Sequence, residues 1–331
     1  MTTKLILMAL AAVALAAGCG GLAGKRERDA RTEFPPIGQF VEVGDTTVHA
    51  WVRGSGPDLV LIHGAGGNLR DFTFRLADQL TNRYRVIAFD RPGHGWTDRL
   101  PGFGGAGSTR GESPAEQAAL LQKAAKQLGV QRPIVLGHSF GGAVALAWGL
   151  SQPRDTAALV IVGGVSQPWP GEIDRYYKVT SSAIGGATVV PLITALAPDS
   201  RIEDALAGIF APQSPPDGYA EYVGPGLTLR RASLRANGQQ VSSLKAHVTE
   251  MSKRYADTLT MPVEIVHGTA DTTVPLQIHA EPLARQLRRG TLTQLEGVGH
   301  MPQHAAPTAV IAAVDRAAGA VDRAARRAGL R

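Results

Sequence analysis

The stretch PIVLGHSFGG, residues 133–142, places one serine among glycines directly after a short apolar run. Residues 134–136 are mostly β-branched and do not alternate with polar residues, which is typical of a strand buried on both faces. Residues 140–150 carry apolar side chains at helical spacing and predict a helix. A strand that passes into a helix without a loop requires a sharp turn, and flanking glycines let two backbones approach closely. Ser139 is thus predicted at the tip of a strained turn, with its hydroxyl oxygen exposed.

The five residues 137–141, GHSFG, resemble the G-x-S-x-G nucleophile elbow of the α/β-hydrolases. A glycine-rich turn with a solvent-exposed serine is the alternative, but the flanking strand and Ala-rich helix favour the elbow. The resemblance implies an α/β fold with a doubly wound, mostly parallel sheet and an inserted helical lid. It also implies that Ser139 is the nucleophile.

The rest of the chain alternates between strand-like and helix-like segments, which predicts a mostly parallel sheet covered on both faces. Residues 40–43 and 47–52 flank a turn signal and predict an antiparallel pair at its start. The alternation stops at residues 167–257, which are rich in proline and glycine, and resumes afterwards. We therefore predict a hydrolase core over 39–166 and 258–331, with 167–257 as a lid over the strand ends.

The resemblance implies a chain order of nucleophile, acid and histidine. His300 follows the last predicted strand in EGVGHMP and is the expected base, whereas His304 is expected at the pocket edge or the surface. The acid is expected after the strand that precedes the insertion or the strand that follows it. Residues 162–167 contain no carboxylate, so Asp271 in GTADTTVP is the expected acid, although an Asx turn or helix cap is its structural alternative.

Two backbone N–H groups are expected to stabilise the oxyanion that forms on the attacked carbonyl. The resemblance implies that Phe140 donates one of them and that Ala65, in the glycine-rich loop 63–67, donates the other. We interpret His63 as a brace of that loop. Asp90 and Arg91, at another strand end, are interpreted as structural.

The N-terminus resembles an export signal. Lys4 precedes the apolar run 5–17, which is too short for a comfortable membrane span, and Cys19 follows as the only cysteine. Residues 16–19, AAGC, resemble the bacterial lipobox, although Ala16 departs from the usual leucine. We predict a signal peptide over 1–18, lipidation at Cys19 and a tether over 19–38. The protein is then an exported bacterial membrane lipoprotein facing the periplasm or the exterior; the alternative is a soluble secreted protein with a plain signal peptide.

Composition excludes several other classes. The chain has 331 residues, 44% of them hydrophobic and 19% charged, as in an ordinary globular protein. Its net charge is +6, but no basic stretch of the sequence is interleaved with aromatic residues, so no nucleic-acid partner is expected. The glycine-rich residues 102–107 follow no strand and open no helix, and the histidines lack metal-binding spacing. We expect no cofactor and no metal.

The resulting prediction is a serine hydrolase that cleaves a carboxylic ester of a small or lipophilic substrate through an acyl-enzyme. Carbon–carbon bond hydrolases and cofactor-free perhydrolases share the same triad, and the choice of ester rests on base rates alone. A non-catalytic, surface-anchored binding protein on the same fold is the alternative from another class. Aromatic residues of the insertion, such as Trp169 and Phe210, are expected either to line the substrate pocket or to fasten the lid.

Overall fold

The structure, a computed structural model, describes residues 2–105 and 107–327, with side chains described from residue 18 onward. Eight strands form one sheet in the order β1-β2-β4-β3-β5-β6-β7-β8. Their bounds are β1 (Gln39–Val43), β2 (Thr46–Arg53), β3 (Asp58–Ile62), β4 (Arg85–Phe89), β5 (Ile134–His138), β6 (Ala158–Val162), β7 (Val263–Gly268) and β8 (Gly290–Leu295). The β1–β2 and β2–β4 pairs are antiparallel and the other pairs are parallel. The doubly wound, mostly parallel sheet that the sequence predicts is confirmed.

Helices cover both faces of the sheet, as its apolar central strands require. The helices of the core are α2 (Arg70–Thr73), α3 (Leu76–Leu80), α4 (Pro114–Gln127), α5 (Phe140–Ser151), α13 (Ala280–Gln286), α14 (Pro302–Ala305) and α15 (Pro307–Arg327). The start of α4 has a capping box, in which Ser113 Oγ accepts from the Glu116 N–H and the Glu116 carboxylate accepts from the Ser113 N–H. Helix α5 lies between strands and lid, and every residue from Phe140 to Leu150 is buried.

The segment between β6 and β7 is helical. It contains α6 (Arg175–Ser181), α7 (Ala183–Leu196), α8 (Asp199–Phe210), α9 (Tyr219–Val223), α10 (Pro225–Thr228), α11 (Arg231–Ser252) and α12 (Tyr255–Thr258). The second half of α11 belongs to the main core, because Leu244, Val248 and Met251 pack in the same apolar cluster as α5. No single helix in the described part of the chain is long and apolar enough to cross a membrane, although α6 and α7, bent by 106°, meet that criterion together.

The predicted tether has a different conformation from the one expected. Residues 2–33 form one helix, α1 (Thr2–Glu33), and only residues 34–38 of the predicted tether lie outside it. The helix is held against the insertion because Ala23 and Ala30 are buried and the Glu27 carboxylate pairs with the guanidinium of Arg231. The Arg26 guanidinium also donates to the Ala197 carbonyl at 2.8 Å. The start of the predicted signal peptide, Met1, lies outside the described residues.

Candidate active site

Ser139 occupies the predicted sharp turn between β5 and α5. Its backbone has φ 54° and ψ −119°, a conformation that residues other than glycine rarely adopt. The turn is possible because its neighbours lack side chains: a Cβ on Gly137 would collide with the Gly141 carbonyl, and a Cβ on Gly141 with the Ile62 carbonyl. The strained elbow predicted from GHSFG is therefore present.

The structure brings the three predicted triad residues into one hydrogen-bonded chain. His300 Nε2 lies 3.0 Å from Ser139 Oγ, and His300 Nδ1 lies 2.8 Å from Asp271 Oδ2. All three side chains are buried. His138 holds the loop that carries His300 in place, since His138 Nε2 lies 2.9 Å from the His300 carbonyl oxygen. Burial and the neighbouring His300 lower the pKa of His138 to about 4.

Asp271 is fixed as an ionised acceptor. Its Oδ1 accepts hydrogen bonds from the N–H groups of Thr273 (2.9 Å) and Val274 (2.8 Å), which leaves Oδ2 for His300. Burial alone would raise the pKa of Asp271, but hydrogen bonds from His267 and His300 and from the Val274 backbone hold that pKa well below its usual range. The turn that Asp271 caps therefore also orients its carboxylate toward His300. Asp271 thus caps a turn and also lies where the expected acid must lie.

The two predicted oxyanion donors lie beside Ser139. Phe140 is the first residue of α5, so its N–H has no acceptor within the helix. The loop of Ala65 approaches closely, since a Cβ on Gly64 would lie 3.1 Å from Ser139 Cβ. The next residue, Gly66, donates its N–H to Asn237 Oδ1 at 2.8 Å, so the lid helps to fix the loop.

His63 braces this loop, as predicted. Its Nδ1 lies 2.9 Å from the Gly64 carbonyl and its Nε2 accepts the Arg91 N–H at 2.9 Å. The Arg91 guanidinium donates to the His63 and Gly64 carbonyls and stacks on the Phe140 ring. Burial and the nearby Arg91 lower the pKa of His63 to about 3, so the ring is neutral. Asp90 is structural, since it accepts the N–H groups of Leu69 and Trp96.

Two cavities meet at Ser139. One, of about 460 Å³, is lined mostly by apolar side chains of the insertion together with Ser139 and His300. The other, of about 400 Å³, is lined by Ala65, Ser139, Phe140 and Trp169 among others. A substrate whose reactive carbonyl lies at Ser139 can therefore extend in two directions.

The aromatic residues of the insertion divide between the two expected roles. Trp169 lines the smaller cavity, and Tyr176 and Tyr177 line the larger one. Phe210 instead packs in a small buried cluster with Tyr219, Val223 and Met301. Because Met301 follows His300, this cluster fastens the lid to the loop that carries His300.

The prediction that His304 lies at the pocket edge or the surface is wrong. Its side chain is 1% exposed and its Nε2 lies 2.7 Å from Asp71 Oδ1. Three aromatic rings, of Phe74, Phe210 and Tyr219, surround it. The imidazole of His304 is therefore enclosed by one buried carboxylate and these rings.

The sequence reasoning missed Asp71, which lines the larger cavity. Its carboxylate accepts from the Tyr219 hydroxyl at 2.7 Å and from Gln303 Nε2 at 3.1 Å, in addition to its contact with His304. Burial alone would raise the pKa of Asp71, but His304 and Tyr219 hold it well below its usual range. No local pattern marks Asp71, because its partners come from α9 and α14, far away in the sequence.

The described residues include no group of three or more His, Cys, Asp or Glu side chains arranged to hold a metal ion.

Comparisons with known proteins give the family of the chain. An uncharacterized protein of Mycobacterium tuberculosis is 29% identical over 315 residues, which cover 87% of this chain and 83% of that protein. The 2-hydroxymuconate semialdehyde hydrolase of Pseudomonas putida is 28% identical over 287 residues, covering 83% and 92% of the two chains. The crystal structure of an alpha/beta hydrolase fold protein from Burkholderia ambifaria superposes with a TM-score of 0.68 at 26% identity, covering 84% of this chain and 97% of that one. The sequence profile of the Alpha/beta hydrolase family matches residues 59–314, so the chain belongs to the α/β-hydrolase family.

Proposed function

We propose that the protein is a serine hydrolase that cleaves carboxylic esters with a lipophilic acyl or alcohol group. The observation that carries this proposal is the Ser139–His300–Asp271 chain at the junction of two cavities, of which the larger has a mostly apolar lining. A hydroxyl with a hydrogen-bonded imidazole and an orienting carboxylate has the parts needed for acyl transfer.

In the proposed reaction, His300 Nε2 takes the proton of Ser139 as Oγ attacks the ester carbonyl. The carbonyl oxygen becomes an oxyanion, and the N–H groups of Ala65 and Phe140 donate to it. His300 then gives the proton to the alcohol oxygen as the ester C–O bond breaks, which leaves the acyl group on Ser139. Water, deprotonated by His300, attacks the acyl-enzyme, and the acid leaves as Ser139 regains its proton.

A carbon–carbon bond hydrolase is the second candidate, because the Pseudomonas putida relative is named for hydrolysis of 2-hydroxymuconate semialdehyde. Two assays separate the candidates from each other and from a silent binding protein. Covalent labelling by a fluorophosphonate tests for an activated serine, and p-nitrophenyl esters compared with a 2-hydroxymuconate semialdehyde test the bond that is broken. Labelling with ester turnover supports the proposal; turnover of the semialdehyde alone, or no labelling, contradicts it.

The larger cavity is expected to set acyl-chain preference. Leu206 of α8 lines it, so Leu206→Trp should fill part of the space that a long acyl chain needs. We expect kcat/KM for p-nitrophenyl octanoate to fall about tenfold or more, and kcat/KM for the acetate to stay within about threefold. Ala207→Trp is the matched control, because Ala207 is exposed on the same helix. An equal loss of kcat/KM on both esters for Leu206→Trp would mean that Leu206 supports the fold and does not select the acyl chain.

We also propose lipidation at Cys19. The residue is a free, partly exposed cysteine within α1 and the only cysteine of the chain. In the wild type we expect an acylated Cys19 at the mature N-terminus, detected by mass spectrometry, and a protein that leaves membranes only in detergent. Cys19→Ser should abolish the modification, with ester hydrolysis unchanged. Wild-type protein that starts at another residue or carries no acyl group would contradict the proposal.

A further inference from the structure

Helix α7 is apolar on its outer side as well as on its inner side. Its sequence AIGGATVVPLITAL contains no charged residue. Ile184, Leu192 and Leu196 lie at helical spacing and are 79%, 42% and 58% exposed, and we call these three side chains the α7 face. Thr188, between them, donates its hydroxyl to the Ile184 carbonyl at 2.8 Å and so needs no other acceptor. A helix on the surface of a globular protein ordinarily has charged or polar residues on this side.

The inner side of the same helix belongs to the site. Ile193 lines the larger cavity together with Ser139, and Ala197 follows it at the end of the helix. Tyr176 lines that cavity and is 42% exposed. Helix α7 is therefore the wall between the reactive serine and the α7 face.

The α7 face continues onto α1. The guanidinium of Arg26 on α1 donates to the Ala197 carbonyl, and Leu22, one turn earlier on α1, is 41% exposed. Cys19, which we propose carries an acyl anchor, lies about one turn before Leu22 on the same helix. An anchor at Cys19 would hold this side of the molecule against a membrane.

We propose that the α7 face and Leu22 of α1 together dock on a lipid bilayer, so that lipophilic substrates reach Ser139 from the membrane side. A lipid surface fits because it can cover a narrow apolar row that lies beside the proposed membrane anchor at Cys19. A second copy of the chain would need a broader patch, about 800 Å² on each partner, than one row of side chains offers. The docking does not depend on the reaction; only the route of the substrate rests on the proposed ester hydrolysis.

The single cysteine makes a direct test possible. All variants are full-length and carry Cys19→Ser, which removes any acyl anchor, and one new cysteine for an environment-sensitive fluorophore. Leu196→Cys places the fluorophore on the α7 face, and Phe40→Cys places it at an exposed apolar residue (47%) of β1 as the matched control. With vesicles of phosphatidylcholine and phosphatidylglycerol, we expect the fluorophore at 196 to be quenched by nitroxide-labelled lipids and the one at 40 to be unaffected.

A second measurement tests the route of the substrate. The combined substitutions Ile184→Gln, Leu192→Gln and Leu196→Gln should weaken vesicle binding about tenfold or more, because three aliphatic side chains no longer enter the lipid. Hydrolysis of a vesicle-embedded ester should fall in proportion, while that of dissolved p-nitrophenyl acetate stays unchanged; Phe40→Gln should change neither rate.

Three outcomes would overturn the proposal. The first is absence of vesicle binding, and the second is a water-exposed fluorophore at 196 on vesicle-bound protein, which would assign binding to the run 5–17 alone. The third is a change of oligomeric mass in the glutamine variant without a change in vesicle binding, which would make a second copy the partner. A chain that docks but hydrolyses no ester contradicts the proposed function and leaves the docking intact.

Discussion

Replacing Ser139 with alanine is expected to lower kcat for p-nitrophenyl esters by at least about 10⁴-fold, because the substitution removes only the oxygen that attacks. The fold should persist: Ser139 Oγ contacts His300 Nε2, and the turn itself is held by backbone bonds such as that from the Ser139 N–H to the Val162 carbonyl. Alanine and serine have the same Cβ and meet the same backbone strain at φ 54°. Steady-state kinetics, with labelling by a fluorophosphonate, measure the effect.

Ser166→Ala is the matched control for this prediction. Ser166 is another buried serine beyond a strand end, but its hydroxyl donates to the His279 carbonyl. The control should keep both labelling and turnover. Wild-type turnover in Ser139→Ala, in a folded protein with a melting temperature close to that of the wild type, would refute the proposed mechanism.

Asp271→Asn is expected to lower kcat by about 10⁴-fold through the wrong tautomer of His300. The N–H groups of Thr273 and Val274 already donate to Asp271 Oδ1, so the asparagine carbonyl oxygen must take that position. Its NH₂ group then faces His300 Nδ1, which can only accept. The imidazole proton therefore moves to Nε2, where it faces Ser139 and can no longer remove the hydroxyl proton.

The KM of the variant and a control substitution make this prediction specific. The variant should bind substrate with a nearly unchanged KM, since Asp271 is not among the residues that line either cavity. Asp315→Asn, at a partly exposed carboxylate that accepts from Tyr84 and Arg83, should leave kcat unchanged. A loss below about tenfold for Asp271→Asn would mean that the carboxylate only caps its turn.

Local patterns predicted most of the core and the reactive residues. The strand, glycine and helix signals around Ser139 act over ten residues, so the elbow could be recognised without knowing the rest of the fold. Asp271 and His300 each follow a buried strand, and parallel strands bring such ends to one edge of the sheet. These positions follow from chain order and short-range geometry.

Contacts between distant segments could not be predicted in this way. Asp71, Tyr219 and His304 lie far apart in the sequence, and only the packing of α9 and α14 on α2 brings them together. The helical conformation of residues 19–33, within the expected tether, could not be predicted for the same reason. The charged residues of this segment resemble a solvated linker, but Glu27 finds its partner in Arg231, about two hundred residues later.

The way α8 is held in place bears on how quickly the enzyme can complete a cycle. Five of its residues line the larger cavity: Arg201, Ile202, Ala205, Leu206 and Ile209. Among the described contacts, no side-chain hydrogen bond or ion pair joins α8 to another element, whereas α9 is tied to the core through Tyr219 and Asp71. Apolar contacts without directional bonds can slide at low cost, so we expect α8 to be the part that yields when a bulky product departs. Release of long-chain acids, and not bond cleavage, would then limit the rate at saturation.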